Sequence, residues 1–488
     1  MMTNVIAEPD AVTGDVAMLE SLEARLRWLS SWTIHNANHL RDSPDGLKVG
    51  GHQASCASIT AIMTVLYFHA LGRHDKVAVK PHAGPVLHAI HYLLGTQSLD
   101  QLQRFRGFGG AQSYPSRTKD MIPVDFSTGS VGLGVAITLF ASLTQDYLVA
   151  HGGLAPADTG RMIALMGDAE LDEGNIYEAL IEGYKHDVRN CWWIVDYNRQ
   201  SLDHTTADRM FRRFDDIFET CGWRVLTLKY GKKQQAAFAR AGGTSLREWI
   251  DACPNVDFAA LTYQGGAAWR ARLTADIGGK PHVAKLLASF DDNALAEVMT
   301  NLGGHCIATL MEAFEAADDD RPTIFIAYTV KGYGLPFAGH KDNHAGLMNP
   351  GQIAALRSTM GIAEGDEWEP WAGLGGNAAE ALTAFVAASP IARHAAEVPA
   401  TAVAVPDRLP VPDGAEQSTQ AAFGRILLDL AKSTDPVARG LADRIVTTSP
   451  DVTVSTNLGA FVNQRGLFRR AELKDVFHAA KIPSPQKW

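Results

Sequence analysis

The sequence predicts an α/β fold built on a doubly wound parallel sheet, and three observations lead there. Arg161 to Met166 and Cys191 to Val195 are short apolar runs closed by the turn residues Gly167-Asp168 and Asp196-Tyr197-Asn198, which is the pattern of buried parallel strands. Between them Ile176, Leu180, Ile181 and Tyr184 recur at helical spacing, so the segment is strand, helix, strand. The alternation then repeats, with a helix over 207–221, a strand over 223–228, a helix over 295–316 and a strand over 322–329. A right-handed crossover sets the first two strands side by side, so Asp168 and Asn198 emerge together at the carboxyl edge of the sheet. Open α/β sheets bind ligands at that edge. A carboxylate, an amide oxygen and nearby main-chain carbonyls are hard oxygen donors suited to Mg²⁺, which keeps places for phosphate oxygens.

Composition bounds the rest. A chain of 488 residues is too long for one core and predicts two or three domains. Hydrophobic residues make up 46% and charged residues 20%, the balance of a soluble globular protein. With 44 basic against 54 acidic residues the formal charge is −10, which argues against nucleic acid or an anionic membrane surface as the main partner. Cys56, Cys191, Cys221, Cys253 and Cys306 form no CxxC pair, so neither a zinc nor a disulfide framework is expected and a reducing, cytoplasmic setting is. No signal-like N-terminus and no run of eighteen apolar residues is expected.

Taken in order, residues 1–16 read as a flexible tail. Leu19, Leu22, Leu26 and Leu29 then mark a helix reaching about Leu40. His35 and His39 sit on it four apart, but the segment lacks the glutamate of a HExxH zinc site. Gly50-Gly51-His52-Gln53 precedes an apolar helix, Ala54 to Leu71. His52 lies where unpaired backbone donors and the helix dipole favour an anion, and equally where a plain surface or core histidine would lie. Asp75 to Lys80 reads as a strand, Pro81-His82 as its turn, and Gly84 to Leu94 as the following helix. Arg104 to Arg117 reads as an irregular loop. Thr128 to Gly134 opens a helix running to about Ala150 with a GxxGxG spacing, which serves phosphate approach or tight helix packing. Asp168, Glu170 and Asp172 alternate before Gly174 as in a calcium loop, yet the twelfth position is Ala179 instead of a bidentate glutamate.

Residues 17–374 are therefore read as one α/β domain, with 230–300 a helical insertion, and 375–414 as an Ala- and Pro-rich linker. Residues 415–488 open a further α/β unit. Ser418 is the expected N-cap of its first helix, followed by a strand over 444–448 and a short helix over 469–480.

With these loops placed, the chain resembles the thiamine-diphosphate enzymes of the transketolase superfamily, most of all the single-chain, homodimeric type of pyruvate dehydrogenase decarboxylating component. The carriers are Gly50-Gly51-His52-Gln53-Ala54-Ser55, Gln112-Ser113-Tyr114-Pro115, Ser130-Val131-Gly132-Leu133-Gly134, Gly167-Asp168-Ala169-Glu170-Leu171-Asp172-Glu173, Asn198-Arg199-Gln200-Ser201-Leu202-Asp203, and Lys331-Gly332-Tyr333-Gly334 with His344. The resemblance implies Mg²⁺ on Asp168, the side chain of Asn198 and the main-chain oxygen of Gln200. It implies the diphosphate on Ala169, Glu170 and the helix entrance at Val131 and Gly132, with His52, Tyr114 and Lys331 nearby. His52, His82 and His344 would act at the thiazolium and substrate carbonyl. Where the family has Gly-Asp-Gly, this chain has Gly-Asp-Ala at 167–169, which an ordinary helix-entry conformation accepts. The family's activating glutamate lies in a second, pyrimidine-binding domain, of which 415–488 resembles only the beginning. The implied function is oxidative decarboxylation of a 2-oxo acid, pyruvate, with acyl transfer to the lipoyl group of an acyltransferase. The alternatives are ketol transfer between sugar phosphates, or a non-catalytic cofactor-binding half of a split or truncated enzyme. A homodimer or a partner chain that completes the site is expected. The isolated chain is expected to show no turnover of pyruvate.

Overall fold

In the computed structural model the described residues are 9–42, 46, 48–201, 204–206, 211–317, 320–394, 402–414, 416–449, 451–470 and 474–482. They fall into two compact units, 1–396 and 397–488.

The first unit is built on a parallel sheet of five strands: β1 (Lys76–Ala78), β2 (Met162–Gly167), β3 (Cys191–Tyr197), β4 (Arg224–Leu228) and β5 (Thr323–Tyr328), in the order β1-β2-β3-β5-β4. Gly167 pairs with Asp196 and Val195 with Ile326, so the central strands end level. The doubly wound parallel sheet predicted from the alternation is present. Successive side chains of a strand face opposite ways, and here the two sets enter two different cores. Ile163, Leu165, Trp192, Ile194, Phe325 and Ala327 join one; Ala164, Met166, Trp193, Val195, Ile324 and Ile326 join the other.

The first core is closed by α1 (Pro9–His35), α2 (Gln53–Val65), α3 (Gly84–Leu93) and the later helix Ile307–Glu315. The second is closed by α4 (Leu133–Ala150), α5 (Gly174–Lys185) and the helical stretch from Lys232 to Thr300. Thus α3, which follows β1, lies on one face, and α5, which follows β2, lies on the other. The chain leaves these neighbouring strand ends in opposite directions and opens a crevice between them. Of the helices, α4 has the length and composition to cross a membrane; it packs Val135, Ala136 and Leu139 against β2 and α5 as a core helix.

Several boundaries differ from expectation for identifiable reasons. Helix α1 starts at Pro9, inside the expected tail, and residues 1–8 lie outside the described residues. His35 is buried and stacks on Trp32 and His39 at 5.4 and 4.6 Å, which makes it a core histidine. The helix expected over 295–316 is two, Asp292–Thr300 and Ile307–Glu315. A Cβ at Gly303 between them would lie 2.4 Å from the carbonyl of Leu228, so the backbone breaks where it touches the sheet. Within the expected linker, Gly376–Ala388 is helical and buries Leu382 and Val386, because its alanines favour a helix once an apolar face is available. The helix expected from 207 is seen over Phe211–Thr220, and 207–210 lie outside the described residues.

The second unit, by itself, consists of the helices Thr419–Lys432, Pro436–Ala442, Gly459–Arg465 and Val476–Ala479 around Leu427, Leu430, Ala442 and Phe461. Ser418 caps the first, accepting from the Ala421 N–H at 3.1 Å. The strand expected over 444–448 is not formed. A single strand has no ladder to complete, and no other strand occurs among the described residues of this unit.

Candidate functional site

A cavity of about 450 Å³ opens at the carboxyl ends of β1 and β2. Its walls include Lys80, His82, Val131, Asp168 to Glu170, Asn198, Gln200, Lys331 and His344. Ser55, Pro81, Gly167, Asp172 and Glu173 complete it; these and Lys80 lie in or beside segments read from the sequence, without a cofactor or catalytic role expected of them. His52, Tyr114 and Gly132 stand just behind: His52 and His82 stack at 3.8 Å, Tyr114 is 6.1 Å from His82, and Gly132 adjoins Val131. The structure therefore gathers every residue predicted for the site into one region.

One wall is the oxygen-rich edge. Asp168 is buried, and its carboxylate accepts from the Ala169 N–H at 3.0 Å and from the Arg199 N–H at 2.6 Å. It thereby ties the end of β2 to the loop after β3. Burial, reinforced by the Asp196 charge, pushes its carboxyl up to about 7. The side-chain oxygen of Asn198 accepts from the Gln200 N–H at 3.1 Å. Gln200 donates to the carbonyl of Gly339 at 3.1 Å, while its own side-chain oxygen is buried without a partner. Between them Arg199 has φ +64°, a left-handed turn that arginine rarely adopts.

Beneath this wall lies a buried ion pair. Lys80 Nζ is 2.7 Å from Asp196 Oδ2. Asp196 also accepts from Ser58 at 2.5 Å and from the hydroxyl of Thr329. Burial alone would raise this carboxyl, yet Lys80 and the hydroxyls outweigh it and hold it below the usual range. Burial would lower Lys80, yet Asp196 holds it above its usual value.

The entrance of α4 is arranged differently from expectation. Glu170 accepts from the Gly167 N–H and the Gly132 N–H, each at 3.0 Å. Its carboxylate thus clasps the turn after β2 to the start of α4, and the Gly132 N–H is already engaged. Gly132 has φ +76°, and a Cβ there would lie 2.8 Å from Glu173 Cβ.

Opposite stand three imidazoles, His82 and His344 in the wall and His52 behind it. His344 sits 5.2 Å from His52 and 5.4 Å from His82, ring to ring, and accepts or shares a hydrogen bond with Lys331 Nζ at 3.1 Å. Burial pushes His52 down to about 4, helped by His344, Arg106, Lys80 and Lys331; burial and His52 push His82 down to about 2. Both rings are neutral at pH 7. Their nitrogens and one of His344 lie within 4.8 Å of one another, but the surrounding lysines and arginine oppose a cation there and favour an anionic group. The Lys331 loop is fixed to α2 by the Gly332 N–H donating to Ala54 at 2.9 Å.

The donor set fits a hard divalent cation with a diphosphate. Asp168 and Asn198 supply oxygens from adjacent strand ends, the Gln200 side-chain oxygen is a buried, unpartnered acceptor beside them, and Lys331 brings positive charge to the same cavity, with Lys80 held against Asp196.

Residues 68–244 match the family model described as the transketolase thiamine diphosphate binding domain. The pyruvate dehydrogenase E1 component of Escherichia coli is 26% identical over 379 residues, 74% of this chain and 41% of that protein. That of Cupriavidus necator is 26% identical over 359 residues, 71% and 39% respectively. The chain spans about two fifths of the length of these relatives. Transketolase from Campylobacter jejuni superposes with a TM-score of 0.56 at 18% identity, over 92% of this chain and 59% of its own. Transketolase from Leishmania mexicana gives 0.51 at 15%, over 91% and 62%. These two share the fold.

Proposed function

Taking as premise that the chain is related to the thiamine-diphosphate-dependent transketolase superfamily, we propose that it is the diphosphate- and Mg²⁺-binding part of a 2-oxo acid dehydrogenase decarboxylating component acting on pyruvate. One observation carries this reading: Asp168 and Asn198, at the ends of neighbouring strands, face the same cavity as Lys80 and Lys331. The preference for a 2-oxo acid over a sugar phosphate rests on the relatives that match some 70% of the chain. The acceptor in this reading is a lipoyl group of an acyltransferase, and the assembly a homodimer or a pair with a completing chain.

Asp168, Asn198 and the main-chain oxygen of Gln200 would hold the metal, and Ala169, Val131 and Lys331 would line the diphosphate. When bound, the cofactor supplies an electron sink for the carbanion left by loss of carbon dioxide. The chain's own contribution is positioning and proton control. The Asp168 staple and the Glu170 clasp fix the turn that receives the phosphates. His52 and His82, kept neutral by burial, can donate or accept one hydrogen bond at a carbonyl oxygen without bringing charge. Lys331 orients His344 through its ring nitrogen.

Calorimetric titration of the whole chain with thiamine diphosphate tests the reading. Binding that requires Mg²⁺ and disappears in Asp168→Ala is expected; binding that ignores both the metal and the substitution refutes it. Cofactor binding without pyruvate turnover, even with an acyltransferase present, would favour a purely binding role.

A further inference from the structure

A second cavity, of about 270 Å³, lies on the other side of the loop after β3, between the sheet and the helical stretch 232–300. Tyr197, Arg199, Phe211, Phe258 and Tyr328 are among its walls. We propose that it binds a small organic oxyanion, a carboxylate or phosphate monoester carried on a flat apolar group.

Charge is the first ground. The Arg199 guanidinium sits over the Phe258 ring at 4.3 Å and 5.7 Å from that of Tyr328, and among the described residues its one hydrogen bond is at 3.3 Å to the carbonyl of Thr329. It forms no ion pair among the described residues. The cavity's other cation, Lys229, is neutralised by Asp251, which also accepts from the Tyr230 hydroxyl. Arg199 therefore leaves one positive charge without a counterion in a largely enclosed space, where an oxyanion gains paired, charge-assisted hydrogen bonds.

The second ground is an unmet hydrogen bond. Tyr328 is 3% exposed, and its hydroxyl is buried with no partner. Buried polar groups are nearly always paired, so this hydroxyl is a donor waiting beside the guanidinium. Shape is the third. Four aromatic residues line the cavity, two of them against the guanidinium, and the volume falls below the roughly 300–1,000 Å³ of pockets that take drug-sized molecules, which points to a metabolite of modest size. Arg199 holds its strained conformation between Asn198 and Gln200, so its side chain enters this cavity while its neighbours line the first.

Fluorine-19 NMR titration of the whole chain with 4-fluorobenzoate and with 4-fluorophenyl phosphate tests the proposal and separates the two oxyanions. Saturable binding of at least one probe with a Kd of about 1 mM or tighter is expected. Arg199→Gln should weaken it about tenfold. Tyr328→Phe, which keeps the ring and the packing, should weaken it about threefold and guards against misfolding of the arginine variant. No binding up to ~10 mM, or binding indifferent to both Arg199→Gln and Tyr328→Phe, overturns the proposal. The probes and readout do not involve the cofactor, so this result is independent of the one that tests the proposed function.

Discussion

Lys80 and Asp196 meet at 2.7 Å with side chains 6% and 0% exposed, directly under the cavity that holds Asp168 and Asn198. Removing one partner of such a pair strands the other charge in a dry interior, which costs about 3–5 kcal/mol. Asp196→Ala should lose that much in urea unfolding. The double variant Lys80→Met with Asp196→Leu should recover most of it, and failure to recover would show that Ser58 and Thr329 make the larger contribution.

Gly132 enters α4 at φ +76° with Glu173 Cβ in the way of any side chain. Gly132→Ala should cost at least ~1–2 kcal/mol from the left-handed backbone alone. It should also loosen the clasp, since the Gly132 N–H would shift away from Glu170. Chemical denaturation reads the first effect and calorimetry of thiamine diphosphate the second.

Glu170→Gln replaces two acceptors by one acceptor and one donor, facing two N–H groups. A buried donor set against a donor costs about 1–3 kcal/mol. The near-isosteric change should thus lower the melting temperature, where an exposed Glu→Gln such as Glu312→Gln should not.

His91 and His305 are buried and neutral, each pushed down to about 3 chiefly by burial. Their folded values lie below the unfolded value, so the unfolded chain binds more protons and stability is lost as the pH falls. Each contributes a slope of about 1.4 kcal/mol per pH unit from near 6.5 down to near 3. His91→Gln should flatten unfolding free energy against pH across that window; an unchanged slope would exclude His91 as a source.

Much of this was legible in the sequence because it follows from spacing. The apolar runs before Asp168 and Asn198 and the helix between them require adjacent parallel strands, and the register Gly167 to Asp196 places both side chains at one edge. The loop glycines and His52, His82 and His344 could be assigned to a common region only through the resemblance, since they lie on separate loops and His344 is far along the chain from the other two. What escaped notice depends on contacts across the fold. Nothing local marks Lys80 and Asp196 as partners 116 residues apart. The Gly132 N–H looked like a phosphate donor because the glutamate that occupies it lies 38 residues away. The strained turn at Arg199 had no glycine to announce it.

The staple formed by Asp168 has a consequence for how the site can be watched. Its two oxygens hold the amide protons of Ala169 and Arg199, one on each strand end. The Ala169 bond lies within one loop, but the Arg199 proton is held from the other strand end and exchanges with solvent only when the two loops part. Deuterium uptake at the Arg199 amide is a built-in clock for the opening of the crevice, readable with nothing bound.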